Sequence, residues 1–444
     1  MKGCGTFFTP PERLENPNVR IAIVNTTDLP GGAARCSYDL ARSLHNQGHS
    51  VNLSVGWRVG SDPFVTQLHY ARWDLAWRNL WFEKLGLTDT TLVAPVLHCL
   101  FRPELRNVEV CNIHNMHGAY WNIWTLPILV RRAPLVLTLH DEWLLTGDCT
   151  YSYDCQRWLN GCGSCPQADW PVLADRYAIG GRDNTRFNLH LKRLCTRLLP
   201  AARVAIVCPS RWLLAHARRT SHLGRFRLRH IEYGVDLDTY RPLEAPRARA
   251  ELGLPQDRFL ILASAGDLGY SRKNLPILAE LLHSSRWPTG CLLVCVGEVD
   301  HRLRKAMDGG PAVFLGSLKG RNQMAKAIAA CDVGLITAVA ENSPYIILET
   351  LACGRPVIAP SVGGIPELIE DRETGWLLPE EITCWDLAEA IERLLETSPE
   401  ERCQMRRRCR AQAEARFSLV RFVDDYLSLF REMAGGGASP PELT

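Results

Sequence analysis

A chain of 444 residues with 46% hydrophobic and 22% charged residues has the composition of an ordinary globular protein, and its length suits two domains of roughly 200 residues better than one core. A net charge of +3 singles out no polyanionic partner, and no nucleic acid is expected. Residues 1–18 lack an apolar core of signal-peptide length and no uninterrupted apolar run reaches membrane-spanning length, so cytoplasmic placement is the expectation.

Residues 20–25, RIAIVN, predict a short buried strand, 28–32 a tight turn, 33–46 a helix stopped by Gly48, and 50–55 a second strand. Further strands are predicted at 108–113, 135–140 and 204–208 with helices between them, which makes the first half an alternating α/β domain with a parallel sheet. A polar, proline-bearing stretch at 238–246 leads into a second series, with strands at 259–265, 291–297, 312–315, 333–337 and 356–360. The expected division is a first domain at 1–240 with an insertion at 142–183, a second at 241–416, a helix at 417–433 and a flexible tail at 434–444.

The turn Asp28-Leu29-Pro30-Gly31-Gly32 opens a helix straight after the first strand, and its small residues let a ligand approach the backbone closely. It is not a Gly-x-Gly-x-x-Gly fingerprint and no acid marks the end of the second strand, so a dinucleotide fold is not supported and a structural turn stays open. His140 and Asp141, and Arg272 and Lys273, each follow a strand at the end where doubly wound sheets bind ligands. The two cations suit a departing diphosphate. In AENSPYIILETLACG, Ser343 reads as an N-cap, Pro344 as the first helical residue and Gly354 as the stop. Free N–H groups near 342–346 then suit a diphosphate, while Glu341 and Glu349 stand ready for sugar and ribose hydroxyls.

Most of the seventeen cysteines sit singly in apolar runs and read as buried thiols. Cys149, Cys155, Cys162 and Cys165 are different: four within one short segment, they read as a structural zinc site, as disulfides or as unligated thiols. Trp73, Trp77 and Trp81, flanked by Arg72, Arg78 and Lys84, form a stripe at helical spacing, for core packing or for a membrane surface.

Glu341, seven intervening residues, Glu349, the strand 356–360 and the turn Gly363-Gly364-Ile365-Pro366-Glu367 together resemble the donor-site signature of family 4 glycosyltransferases of the GT-B fold. Leu139-His140-Asp141, Pro209-Ser210-Arg211-Trp212 and the stretch from HDEWLLTGDC to GCGSCPQ extend the likeness over roughly 20–395, toward the branch that assembles capsular and colanic-acid-like exopolysaccharides. The resemblance implies an α/β protein of two Rossmann-like domains facing across a cleft, with the C-terminal helix crossing back to the first. It implies retaining transfer of a hexosyl group from a nucleoside-diphosphate sugar to a polyprenyl-diphosphate-linked glycan, with no catalytic metal or other cofactor. His140 and Glu341 would hold the sugar, with Asp141 a further polar contact or proton acceptor, and Lys273 and Arg272 the diphosphate. Donor contacts would come from Gly31, Gly32, Asn342, Ser343, Pro344, Tyr345, Glu349, Gly363 and Gly364. The lipid acceptor implies contact with the inner-membrane surface, for which the tryptophan stripe is suited. A nucleotide-sugar epimerase of the same fold and a non-catalytic sugar-binding partner of an assembly complex are the rival readings.

Overall fold

Two all-parallel sheets organise the computed structural model, which describes residues 18–29, 31–68, 102, 105, 107–118, 120–167, 183–267, 271–299 and 301–435. The first contains β1 (Arg20–Thr27), β2 (Ser50–Trp57), β3 (Val65–Gln67), β4 (Val110–Ile113), β5 (Leu135–Thr138), β6 (Val204–Cys208) and β7 (Arg227–His230) in the order β3-β2-β1-β4-β5-β6-β7. The second contains β8 (Phe259–Asp267), β9 (Cys291–Glu298), β10 (Ala312–Gly316), β11 (Val333–Leu335), β12 (Val357–Pro360) and β13 (Gly375–Leu378) in the order β10-β9-β8-β11-β12-β13. Every position of β4, β5 and β6 is buried, as befits strands covered by helices on both faces.

The order of each sheet reverses once, between β1 and β4 and between β8 and β11. At such a point the loops leaving the carboxyl ends diverge and open a crevice. In register, Ile23 faces Asn112 at the first point and Leu262 faces Gly334 at the second. The sequence places its Gly31-Gly32 turn after β1 and its Arg272-Lys273 pair after β8, so both lie at these openings.

Helix Leu419–Ala434 starts at Ser418, whose hydroxyl accepts the Arg421 N–H at 3.2 Å. Phe422, Val423, Tyr426, Leu427, Phe430 and Met433 recur at helical spacing and are buried. The helix lies against the first domain: Tyr426 Oη is 2.9 Å from Thr138 Oγ1 of β5, and Arg227 of β7 pairs with Glu432 at 2.7 Å. One apolar core runs from this face of the first sheet into the second domain, and a second fills the opposite face.

Three strands escape the sequence reading. β3 has only three residues, β7 is the polar Arg-Leu-Arg-His, and β13, Gly-Trp-Leu-Leu, follows a loop without a clear period-2 signal. β5 ends at Thr138, two residues before the expected end, so His140 and Asp141 stand in the loop beyond it. The stripe of Trp73, Trp77 and Trp81, with Arg72, Arg78 and Lys84, lies outside the described residues, as does Pro30. Among the described residues no helix is long and apolar enough to cross a membrane.

Candidate active site

A cleft of about 460 Å³ opens between the carboxyl ends of the two sheets. Gly32, His117, His140, Asp141, Tyr151 and Tyr233 line it from the first domain, and Arg272, Lys273, Glu341 to Ile346 and Glu349 from the second.

The second-domain wall is charged. After β8 the chain makes a single turn at Ser271–Lys273, held to the loop after β11 by Thr337 Oγ1 donating to Lys273 O at 2.7 Å and Val339 N–H donating to Arg272 O at 3.0 Å. Lys273 Nζ and Arg272 Nη1 reach the same carboxylate oxygen, Glu341 Oε1, at 2.5 and 2.7 Å. Burial alone would raise the Glu341 pKa, but the charges of Lys273 and Arg272 outweigh it and hold the group below the ordinary glutamate value. The residues read separately as diphosphate cations and sugar carboxylate are thus one cluster of net charge +1.

Beside it begins helix Tyr345–Ala352, whose Tyr345 and Ile346 N–H groups have no acceptor within the helix, while Ile347 N–H donates to Pro344 O at 3.1 Å. The expected cap is corrected here: Pro344, at φ −72° and ψ 122°, is the N-cap, and Ser343 lies one residue further out. Proline has no N–H and an extended ψ, so it serves as the last non-helical residue rather than the first helical one. The Ser343 hydroxyl is left buried without a hydrogen-bond partner. Gly354, at φ 68°, follows the C-cap Cys353, as expected of a stop residue.

Gly363 and Gly364 do not line the cleft; they support its loop from behind. A Cβ on Gly363 would stand 1.9 Å from the Glu341 carbonyl oxygen and one on Gly364 2.0 Å from that of Asn342, and Gly364 N–H donates to Glu341 O at 3.1 Å. Only glycines permit this approach. Gly31, at φ 112°, caps helix Gly32–Asn46, and a Cβ on Gly32 would meet the Tyr345 ring at 3.6 Å, so the glycine turn lets the first domain lie close to helix Tyr345–Ala352.

Glu349 forms an ion pair with Arg35 of helix Gly32–Asn46, a residue that the sequence reading did not single out. The Arg35 guanidinium also lies 4.8 Å from the Tyr345 ring centroid and 5.0 Å from that of Tyr240. Its only signal in the sequence is a place one turn beyond the Gly-Gly loop; the partner comes from the other domain.

The first-domain wall carries one carboxylate, Asp141, and is otherwise a network of neutral groups bonded to one another. Asn112 Nδ2 donates to Val136 O at 2.9 Å and Thr138 Oγ1 at 3.0 Å, which leaves its Oδ1 to accept from His114 Nε2 at 2.7 Å. By this network His114 Nδ1 accepts from His140 Nε2 at 2.9 Å, and His140 Nδ1 accepts from the Tyr233 hydroxyl at 2.5 Å. Burial depresses both imidazoles, His114 well below its ordinary value and His140 to about 4. Both ring nitrogens of His140 are therefore committed within the protein, and its carbonyl accepts from Asn342 Nδ2 across the cleft at 2.9 Å. The Tyr233 ring stacks on Tyr345 at 4.9 Å and 10°. Asp141 accepts from His117 Nε2 at 2.8 Å and from Trp143 N–H at 2.9 Å. Burial would raise its pKa, yet His117 and these hydrogen bonds hold it below the ordinary value, so it is a poor proton acceptor. Arg211 and Trp212 begin helix Arg211–Arg219, and the Glu367 carboxylate of the second domain accepts both their N–H groups at 2.7 Å.

Residues 30–239 match the model of Glycosyltransferase Family 4, and residues 260–397 that of Glycosyl transferases group 1. A D-inositol 3-phosphate glycosyltransferase of Saccharomonospora viridis is 31% identical over 219 residues, 46% of this chain and 50% of that protein, so the chain spans about half the length of that relative. A putative colanic acid biosynthesis glycosyl transferase, WcaC of Escherichia coli K12, is 25% identical over 387 residues, 80% of this chain and 84% of that one. Among solved structures, HepE of Anabaena in complex with UDP and glucose gives a TM-score of 0.64 at 18% identity, covering 94% of this chain and 100% of that chain. The fold is GT-B.

Proposed function

Because the chain belongs to glycosyltransferase family 4, we propose that it transfers a hexosyl group, with retention at the anomeric carbon, from a nucleoside-diphosphate sugar to a lipid-linked oligosaccharide in surface-polysaccharide assembly. The observation that carries this reading is the cluster of Lys273, Arg272 and Glu341 beside the Tyr345 and Ile346 N–H groups at the start of helix Tyr345–Ala352, with Glu349 one turn further on. The cluster keeps a net positive charge and the helix start adds oriented dipoles, a combination that suits a diphosphate. As the bond from the anomeric carbon to the phosphate oxygen breaks, charge grows on the diphosphate and these groups stabilise it more than they stabilise bound donor. The acceptor hydroxyl bonds to the anomeric carbon on the face that the diphosphate leaves, and the departing phosphate oxygen takes its proton. Glu349 offers its carboxylate to the ribose hydroxyls.

The first-domain wall fits this division. His140, neutral and committed on both nitrogens, positions Tyr233 and Asn342 rather than exchanging protons. An epimerase needs further acid and base groups to act on water or C2, and the low pKa values of His140 and Asp141 disfavour that rival. The relative named for colanic acid biosynthesis supports a polysaccharide setting, and the complex of HepE with UDP and glucose supports a uridine-linked donor. A lipid-linked acceptor places the working protein at the cytoplasmic face of the membrane.

The test is a thermal-shift screen of UDP-, GDP- and ADP-sugars, followed by turnover with a polyprenyl-diphosphate-linked acceptor and NMR of the product's anomeric configuration. Stabilisation by one nucleotide class and a retained configuration are expected. An inverted product would overturn the mechanism, and epimerised sugar without transfer would favour the rival.

A further inference from the structure

The described part of the segment between β5 and helix Thr185–Arg197 has little regular structure. Its residues 142–167 contain one helical turn, Arg157–Asn160, and Trp143, Leu144, Leu145 and Trp158 as the large buried apolar side chains. A loop of this length holds one conformation only when something staples it. At its base polar groups serve: the buried Glu142 carboxylate takes the Ser152 N–H at 2.6 Å, the Ser152 hydroxyl at 3.0 Å and His216 Nδ1 at 2.6 Å. The buried Lys192 ammonium donates to the carbonyls of Trp143, Thr146 and Gly147 at 2.7, 3.1 and 2.9 Å.

The rest of the loop has four thiols instead. Cys149, Cys155, Cys162 and Cys165 all line one cavity of about 20 Å³, space for roughly a single water-sized body. None is in a disulfide. Residues 161 to 164 all have positive φ, at 117°, 58°, 91° and 48°, including the non-glycine Cys162 and Ser164. This backbone costs energy and folds the Cys-Gly-Ser-Cys turn back toward Cys149 and Cys155.

We propose that these four cysteines bind one zinc ion, and that the resulting clip holds Thr150 and Tyr151 in the wall of the cleft. Zinc takes four thiolates in a tetrahedron, and a Cys-x-x-Cys pair is a common half of such sites. The tightest group of possible ligand atoms among the described residues lies elsewhere, at Cys36, His114 and His140, all within 4.8 Å. The four imidazole nitrogens there already serve the Asn112-His114-His140-Tyr233 chain, so a metal would have to break it. The sulfurs of the loop are set wider than that trio, and capture of the ion draws them together as their protons leave. The clip bears on the cleft because Thr150 and Tyr151 follow Cys149 directly and line it, and the Arg272 guanidinium lies 4.6 Å from the Tyr151 ring centroid.

Protein purified without chelator should contain about one zinc per chain. Its four loop thiols should resist alkylation, read by peptide mass, until a chelator is added, and a variant with Cys162→Ser and Cys165→Ser should lose the metal. Wild-type protein decides the matter if that variant fails to fold: no zinc, with the four thiols freely alkylated or joined as disulfides, overturns the proposal. The link to turnover rests on the donor-site reading, whereas the metal content does not. Tyr151→Leu should keep its zinc and lose about threefold to thirtyfold in turnover, the range of one cation–π contact. Full turnover by that variant or by the chelated enzyme overturns the positioning role and leaves metal content as a separate result.

Discussion

The two walls of the cleft sit at equivalent reversal points of two similar sheets, yet they solve opposite problems. The wall after β1 and β4 has one carboxylate, Asp141, already bonded to His117, and the polar atoms of its neutral Asn112-His114-His140-Tyr233 chain are spent on one another. The wall after β8 and β11 keeps net charge, the Tyr345 and Ile346 N–H groups and the unpartnered hydroxyl of Ser343. Burial costs little when a group is neutral and paired, so the first wall gains rigidity. The second leaves donors unspent, which is the state that awaits an anion.

Acidification should break the first wall before the second. An unfolded imidazole takes up its proton near pH 6.5, whereas His140 does so near 4 and His114 well below its ordinary value. Protons therefore bind the unfolded chain preferentially in that window: stability is fully present above about pH 6.5 and falls as pH drops toward 4. Each histidine contributes a slope of up to about 1.4 kcal/mol per pH unit. Glu341 and Asp141, held below their ordinary values, stay ionised through most of it. Denaturant titrations at pH 7.5, 6 and 5 measure the slope, and His140→Gln should flatten it; a flat wild-type profile contradicts the neutral chain.

On the charged wall, Lys273→Ala should lower kcat by about a hundredfold to a thousandfold, the scale for one lost transition-state donor, with a smaller effect on donor affinity. Equal losses in kcat and affinity would make Lys273 a plain binding group. Glu349→Ala should weaken donor binding by about 1.5–3 kcal/mol in calorimetry. Because Glu349 also pairs with Arg35, the double variant with Arg35→Ala separates lost ribose contact from an orphaned guanidinium. Ser343→Ala is the mildest: stability unchanged or slightly raised, donor affinity reduced by about 0.5–1.5 kcal/mol. A marked loss of stability would show that the hydroxyl has a partner within the protein.

Much of the charged wall was legible because its parts lie close in sequence. Glu341 to Glu349 is one local segment, and Arg272-Lys273 follows an apolar run that reads as a strand. Of the other wall only His140 and Asp141 were legible, since Asn112, His114 and Tyr233 come from separate elements and join His140 in a chain only when the strands before them pair. Arg35 was missed for the same reason. The misplaced cap has a local cause: serine at an N-cap and proline just inside are the commoner arrangement, and here the helix begins one residue later.

Helix Leu419–Ala434 also bears on the order in which the first domain can be completed during synthesis. Residues 20–230 supply all seven strands of the first sheet, but Tyr426, Phe430 and their neighbours cover that sheet's apolar face only after some two hundred further residues have been made. Until then part of that face, beside helix Gly32–Asn46, stays uncovered while the second domain is still being made. Such long-range contacts slow folding and leave sticky intermediates, so a chain ending before Leu419 is expected to aggregate rather than yield an isolated first half.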